Sequence, residues 1–264
     1  MTSSKARANR SSAKEEFQQD VIAGLTATQK HLDPKYFYDA AGCALFEKIT
    51  RLPEYYITRT ETEMMRNIGG DLTRACGEIA TVVEFGSGSG QRTELLFDAL
   101  KSTKHYVPID VSPDLLDITK TSLASSHQDI LVEAIVGDFT EELKIASNLP
   151  RPWLGYFPGS TIGNFLPTAA IRFLARARRT LGTNTQMLIG VDLVKPVSRL
   201  EAAYDDAAGV TAAFNKNILT RINRELNADF DLECFTHRAF FNDKLSRIEM
   251  HLESTTAQRV SING

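Results

Sequence analysis

From Ala80 to about Lys195 the chain alternates short, almost wholly apolar runs with longer stretches whose apolar residues recur at helical spacing. The runs near 80–85, 105–110, 131–136, 153–158 and 186–192 read as strands, with helices between them. Leu95, Leu96, Ala99 and Leu100 mark one helix. Ser112-Pro113 supplies an N-cap and a proline at the first helical position, and Pro167 and Gly182 bracket another helix in the same asymmetric way. Near-continuous apolar strands separated by helices predict an α/β fold with a parallel sheet covered on both faces. Ligands then bind at the carboxyl ends of the strands.

Outside this repeat the pattern changes. Phe17, Val21, Ile22 and Leu25 predict a helix within 15–30, and 44–50 reads as a short helix ended at Leu52-Pro53. Thr60-Glu61-Thr62-Glu63 has capping-box form and predicts a helix from there to about Cys76. After Lys195-Pro196 a long helical region, 198–226, is kinked or divided by Gly209, with Asp205 and Asp206 on a solvated face. Residues 232–253 read as two strands around a turn at Asn242-Asp243. The pattern therefore predicts a disordered tail over 1–14, one domain over 61–195, and a second, α+β domain from 15–60 plus 196–264.

Composition narrows the function. The chain has 264 residues and a net charge of −3, so nothing points to a nucleic-acid or membrane surface. No apolar run is long enough to span a membrane, and the first fourteen residues lack the apolar core of a secretory signal. Cys43, Cys76 and Cys234 are scattered, which argues for a reducing, cytoplasmic setting and against a disulfide frame or a zinc site. The five histidines show no paired ligand spacing, so no metal is expected.

The chemistry concentrates at strand ends. Val82-Val83-Glu84-Phe85-Gly86-Ser87-Gly88-Ser89-Gly90 is a buried strand running into a glycine turn, which is either a nucleotide-type site that a ligand can approach closely or merely a tight turn. The dinucleotide fingerprint requires glycine where this chain has Gln91, and Glu84 would repel a pyrophosphate but suit a sulfonium ligand. Both favour S-adenosylmethionine (SAM) over NAD. Asp110, ending the second strand, can accept from both ribose hydroxyls, or can cap the next helix. Asp138 can accept from an adenine amino group while Phe139 covers the ring, or can be a turn residue. Three such features in order favour the cofactor reading. The fourth strand end, Phe157-Pro158-Gly159-Ser160-Thr161-Ile162-Gly163-Asn164-Phe165, reads as a functional loop in which Asn164 meets a carboxylate or an amine. Tyr55 and Tyr56 either pack under a loop or turn their hydroxyls to a polar substrate. No Ser/His or Cys/His nucleophile arrangement is present, so catalysis by positioning is expected and no catalytic side chain is named.

Together with Tyr36-Phe37-Tyr38-Asp39, Leu52-Pro53-Glu54-Tyr55-Tyr56 and the tract from Ala203-Tyr204-Asp205-Asp206 to Phe214-Asn215, these motifs resemble the L-histidine Nα-methyltransferase family of ergothioneine biosynthesis. The likeness runs from about Val21 to the last residues. It implies a Rossmann-like SAM-dependent methyltransferase sheet with a second substrate domain, and trimethylation of the histidine α-amine to hercynine. Cofactor contacts carry onto Gly86, Asp110, Asp138 and Phe139, and onto Arg92 where the family has lysine. Substrate-carboxylate contacts carry onto Tyr55, Asn164 and Tyr204, with Tyr38 near the imidazole and Met250 lining the pocket. The family continues past the position of Gly264 with a segment that adds an acid and a serine to the imidazole pocket and supplies the last strands. This chain is accordingly expected to be C-terminally truncated. The rival readings are a SAM enzyme for another amino acid or amine, a SAM-binding homologue impaired in catalysis, and an NAD oxidoreductase, which Gln91 disfavours. Oligomeric state is not legible.

Overall fold

The computed structural model describes residues 2–88 and 90–263. Met1, Ser89 of the glycine stretch and the side chains of 2–12 and Gln91 lie outside the described residues. In chain order the elements are α1 (Thr2–Thr26), α2 (Ala40–Ile49), α3 (Tyr56–Asn67), α4 (Gly69–Cys76), β1 (Thr81–Phe85), α5 (Gln91–Ala99), β2 (His105–Asp110) and α6 (Pro113–Ser126). There follow β3 (Leu131–Val132), β4 (Ile135–Val136), β5 (Trp153–Phe157), α7 (Pro167–Leu181), β6 (Gln186–Ile189), α8 (Val197–Ala202), α9 (Val210–Leu226), β7 (Phe235–Asn242) and β8 (Arg247–Ser254). The chain forms two compact units, Tyr56–Val194 and the pair Met1–Tyr55 with Lys195–Gly264.

The Tyr56–Val194 unit is an α/β fold around a parallel sheet in the order β3-β2-β1-β5-β6, with β4 also paired to β2. All five residues of β1 are buried, and their side chains alternate between two cores. Val82 joins Met65, Leu72, Leu96, Leu100, Tyr106 and Leu123 on one face. Val83 and Phe85 join Val107, Ile109, Trp153, Phe157, Phe173 and Leu181 on the other. Burying each such side chain is worth about 1.5–3 kcal/mol. Gly155 is required by packing, because a Cβ there would lie 2.6 Å from the Leu181 side chain.

Several expected boundaries move, each for a local reason. The third strand, expected over 131–136, is broken into β3 and β4. The carbonyls of Tyr106 and Asp110 accept from Glu133 and Gly137, so alternate residues of β2 face this strand. Pro108 is the residue between them and brings no N–H to the ladder. The fifth strand stops at Ile189 rather than 192, because the Asp192 N–H turns to the Ser160 hydroxyl at 3.0 Å. The helix expected from Thr60 begins four residues earlier, at Tyr56, and α4 follows as a separate helix at Gly69. Thr60 is therefore not a cap.

The other unit packs α1 and α9 through Phe17, Val21, Ile218, Leu219, Ile222 and Leu226, with Tyr36 and Phe230. β7 and β8 form the antiparallel hairpin. α1 includes residues 2–14, expected as a disordered tail; no glycine or proline interrupts that stretch and it holds several good helix formers. The region 198–226 is divided at Gly209, which is left-handed at φ +70°. Asp206 is not on a solvated face but buried, accepting from the Val210 and Thr211 N–H groups at 2.9 and 2.7 Å. Burial works to raise its pKa, yet these donors outweigh burial and hold it low. Among the described residues no helix is long and apolar enough to cross a membrane.

Candidate active site

At the carboxyl end of β1 the backbone turns through left-handed conformations at Gly86 (φ +73°) and Gly88 (φ +54°), which glycine adopts at low cost. The N–H groups of Gly86 and Ser87 both donate to the Ile109 carbonyl, at 2.8 and 3.2 Å, tying the loop to β2. A Cβ on Gly86 would meet the Phe139 ring at 3.1 Å, whereas one on Gly88 would meet nothing within 4 Å among the described residues. Asp110 accepts from the Gly88 N–H at 3.0 Å through one oxygen and from the Ser112 N–H at 2.9 Å through the other. Ser112, not Asp110, caps α6. Burial raises the Asp110 pKa against these backbone donors. Each carboxylate oxygen has a second lone pair to offer a ligand.

Asp138 accepts from the Thr140 N–H and hydroxyl at 2.8 and 2.6 Å, which shapes the turn carrying Phe139. The Phe139 ring stands edge-on to Phe157 and Phe173 at 5.6 and 5.8 Å. An aromatic edge at Gly86, room beside Gly88 among the described residues and carboxylate lone pairs at Asp110 are the features an adenosyl ligand uses. The residues present fit SAM.

Glu84 departs from its expected place beside a sulfonium. It shares the inward face of β1 with Val82, is 1% exposed, and accepts 2.5 Å hydrogen bonds from Thr93 and Tyr106. Burial pushes its pKa up to about 7 despite those two donors. Arg92, on α5, pairs with Glu61 of α3 at 3.3 Å.

The expected substrate residues fall in both units. Asn164 is exposed and closes the 3-10 turn Thr161–Asn164 in the Tyr56–Val194 unit. In the other unit Tyr204 stands edge-on to Tyr55 at 5.9 Å, Tyr55 to Phe46 at 6.2 Å, and Phe46 to Tyr38 at 5.6 Å, so three of the four tyrosine and methionine candidates share one aromatic row. Met250 is half-buried on β8 opposite Ala239. Asp39 caps α2 through the Gly42 N–H and accepts from Asn217 and Arg224, which anchors the chain beside Tyr38. Burial opposes ionisation of Asp39, but the Arg224 guanidinium and the other donors hold its pKa low.

Two residues missed by the sequence reading hold Tyr204. The Asn215 amide nitrogen donates to the His251 carbonyl at 3.0 Å and contacts His237 Nδ1 at 2.9 Å. An amide nitrogen only donates, so Nδ1 accepts and the proton sits on Nε2. That Nε2–H donates to the Tyr204 carbonyl at 2.8 Å. The signal was Asn215, one of three polar residues, with Thr211 and Asn217, on the buried face of α9; His237 carried none in its own sequence context. Among the described residues no cluster of His, Cys, Asp or Glu could hold a metal ion.

A family model for histidine-specific, SAM-dependent methyltransferases matches residues 17–264. The chain belongs to that family. It is 46% identical over 254 residues to the histidine N-alpha-methyltransferase of Mycolicibacterium smegmatis, covering 95% of this chain and 78% of that protein. To the corresponding protein of Mycobacterium tuberculosis it is 44% identical over 248 residues, 92% of this chain and 76% of that one. A 4-dimethylallyltryptophan N-methyltransferase of Claviceps purpurea is 26% identical over 199 residues, 70% of this chain and 58% of that one. As a member of this methyltransferase family the chain is a SAM-dependent enzyme, and the glycine turn with Asp110 and Phe139 is its candidate cofactor site.

Proposed function

We propose that this chain methylates the α-amine of L-histidine, in three rounds, to the trimethylated betaine of ergothioneine biosynthesis. The observation that carries the substrate is the 46% identity to a histidine N-alpha-methyltransferase along 95% of the chain. When bound, SAM supplies an electrophilic methyl group on a sulfonium sulfur, which takes the electron pair of the broken bond. Asp110 and the Gly86–Gly88 backbone hold the adenosyl part, with Asp138 and Phe139 at the base and Arg92 acting from α5. Tyr55, Tyr204 and Asn164 are assigned to the substrate carboxylate, Tyr38 to the imidazole and Met250 to the pocket lining. Fixing the carboxylate and ring leaves the amine free to turn between rounds, and in each round its proton goes to solvent or a weak base. Positioning of this kind needs no nucleophilic side chain.

Incubation of the chain with SAM and L-histidine, read by mass spectrometry, should give mono-, di- and trimethyl-histidine. Methylation of tryptophan or another amine with histidine left untouched would overturn the substrate. Tyr204→Phe keeps the ring against Tyr55 and removes only the hydroxyl. It should weaken histidine binding about tenfold, the worth of one hydrogen bond to a charged group, with SAM affinity unchanged. Equal losses for both ligands would remove Tyr204 from the substrate contacts.

A further inference from the structure

Glu61 is a charged side chain in the middle of α3, yet the residue is only 8% exposed. Its two oxygens receive the Gly159 N–H at 2.8 and 3.0 Å, and Arg92 Nε stands 3.3 Å from one of them. The Arg92 guanidinium in turn lies against Gly159, where an added Cβ would be 3.2 Å from it. The carboxylate thus touches the helix that follows the glycine turn and the first residue of the loop that ends in Asn164. Space for it is provided by a third element. A Cβ on Gly190, just after β6, would lie 2.2 Å from Glu61 Oε1, and Gly190 has no left-handed backbone to explain its glycine. The same helix grips the loop a second time, because Tyr56 donates to Asp192 at 2.5 Å while the Asp192 N–H donates to Ser160, itself left-handed at φ +56°.

We propose that Glu61 is a positioning residue for this methyltransferase, holding Arg92 toward the cofactor and the Gly159–Asn164 loop toward the amino-acid substrate from one buried carboxylate. The inference rests on the cofactor and substrate roles given above to Arg92 and Asn164. Glu61→Gln keeps the shape and an acceptor for Gly159 but removes the charge that orients Arg92. Breaking one side of a largely buried ion pair strands the other. Gly190→Ala reaches the same carboxylate without altering any residue assigned to a ligand.

The test titrates S-adenosylhomocysteine by calorimetry and measures kcat and KM for histidine in Glu61→Gln, Gly190→Ala, Arg92→Ala and the Glu61→Gln/Arg92→Ala double variant. Glu61→Gln and Gly190→Ala are each expected to lose about tenfold in S-adenosylhomocysteine affinity and to raise the histidine KM, and the double variant to bind no more weakly than Arg92→Ala alone. A Glu61→Gln protein with wild-type affinity and wild-type KM overturns the proposal, whatever its melting temperature. So does full additivity in the double variant. If the wild-type chain binds S-adenosylhomocysteine but methylates no histidine, the substrate reading fails, and the titration and the cycle still decide for or against Glu61.

Discussion

Asp110→Ala should lower the affinity for SAM by about 100-fold or more, since two hydrogen bonds to a charged acceptor are lost at about 1.5–3 kcal/mol each. The geometry makes the residue hard to replace. Asp110 offers lone pairs to a ligand while its two oxygens already hold the Gly88 and Ser112 N–H groups, so its removal also frees the glycine turn. Asp110→Asn keeps the size and one acceptor, and should fall between the two. Isothermal titration with SAM, on protein whose circular dichroism is unchanged, reads the result. If the carboxylate served only to brace the turn, the alanine variant would melt earlier but bind SAM as tightly as the parent, and the ribose assignment would be abandoned.

The α/β repeat was legible because its central strands β1, β2 and β5 are buried on both faces and the helices between them on one, so burial wrote a period into the residues. The glycine turn was legible for a different reason: left-handed backbone at Gly86 and Gly88 restricts the residue type itself. Three things were not legible. Pro108 splits the third strand through a donor missing from the neighbouring strand, and such pairing is non-local. The acids at 61, 84 and 206 read as a capping-box position, a ligand contact and a solvated face, yet all three are buried. For Glu61 and Glu84 the partners lie far along the chain, Gly159 and Tyr106, whereas Asp206 takes its two N–H groups from the next turn, Val210 and Thr211. The tyrosine row was quoted as motifs, but its support by Asn215 and His237 depends on how α9 meets the hairpin, which no spacing rule reports.

Glu84 makes that buried chemistry measurable. In the unfolded chain its carboxyl loses its proton near the ordinary glutamate value of 4.5, and in the fold it keeps it up to about 7 because burial penalises the charged form. Below 4.5 both states hold the proton and the fold has its full stability. Between 4.5 and 7 only the folded state binds it, so each rise in pH favours unfolding, and above 7 the loss is complete. At 1.36 kcal/mol per unit, the shift corresponds to roughly 3 kcal/mol. Glu84→Gln is uncharged throughout and can still accept from Thr93 and Tyr106, so it should escape this loss. Urea unfolding of both proteins from pH 4.5 to 8 should show the variant gaining on the parent by roughly 3 kcal/mol across that interval and by nothing more above it. Parallel curves would mean that Glu84 is ionised in the folded protein at the lower end of the range. The Asp110 charge helps to keep the proton on Glu84, so Asp110→Ala should shift the upper end of the interval to lower pH. A change at Asp110, the residue proposed to hold the cofactor, would then be read out in the stability of the strand beneath it.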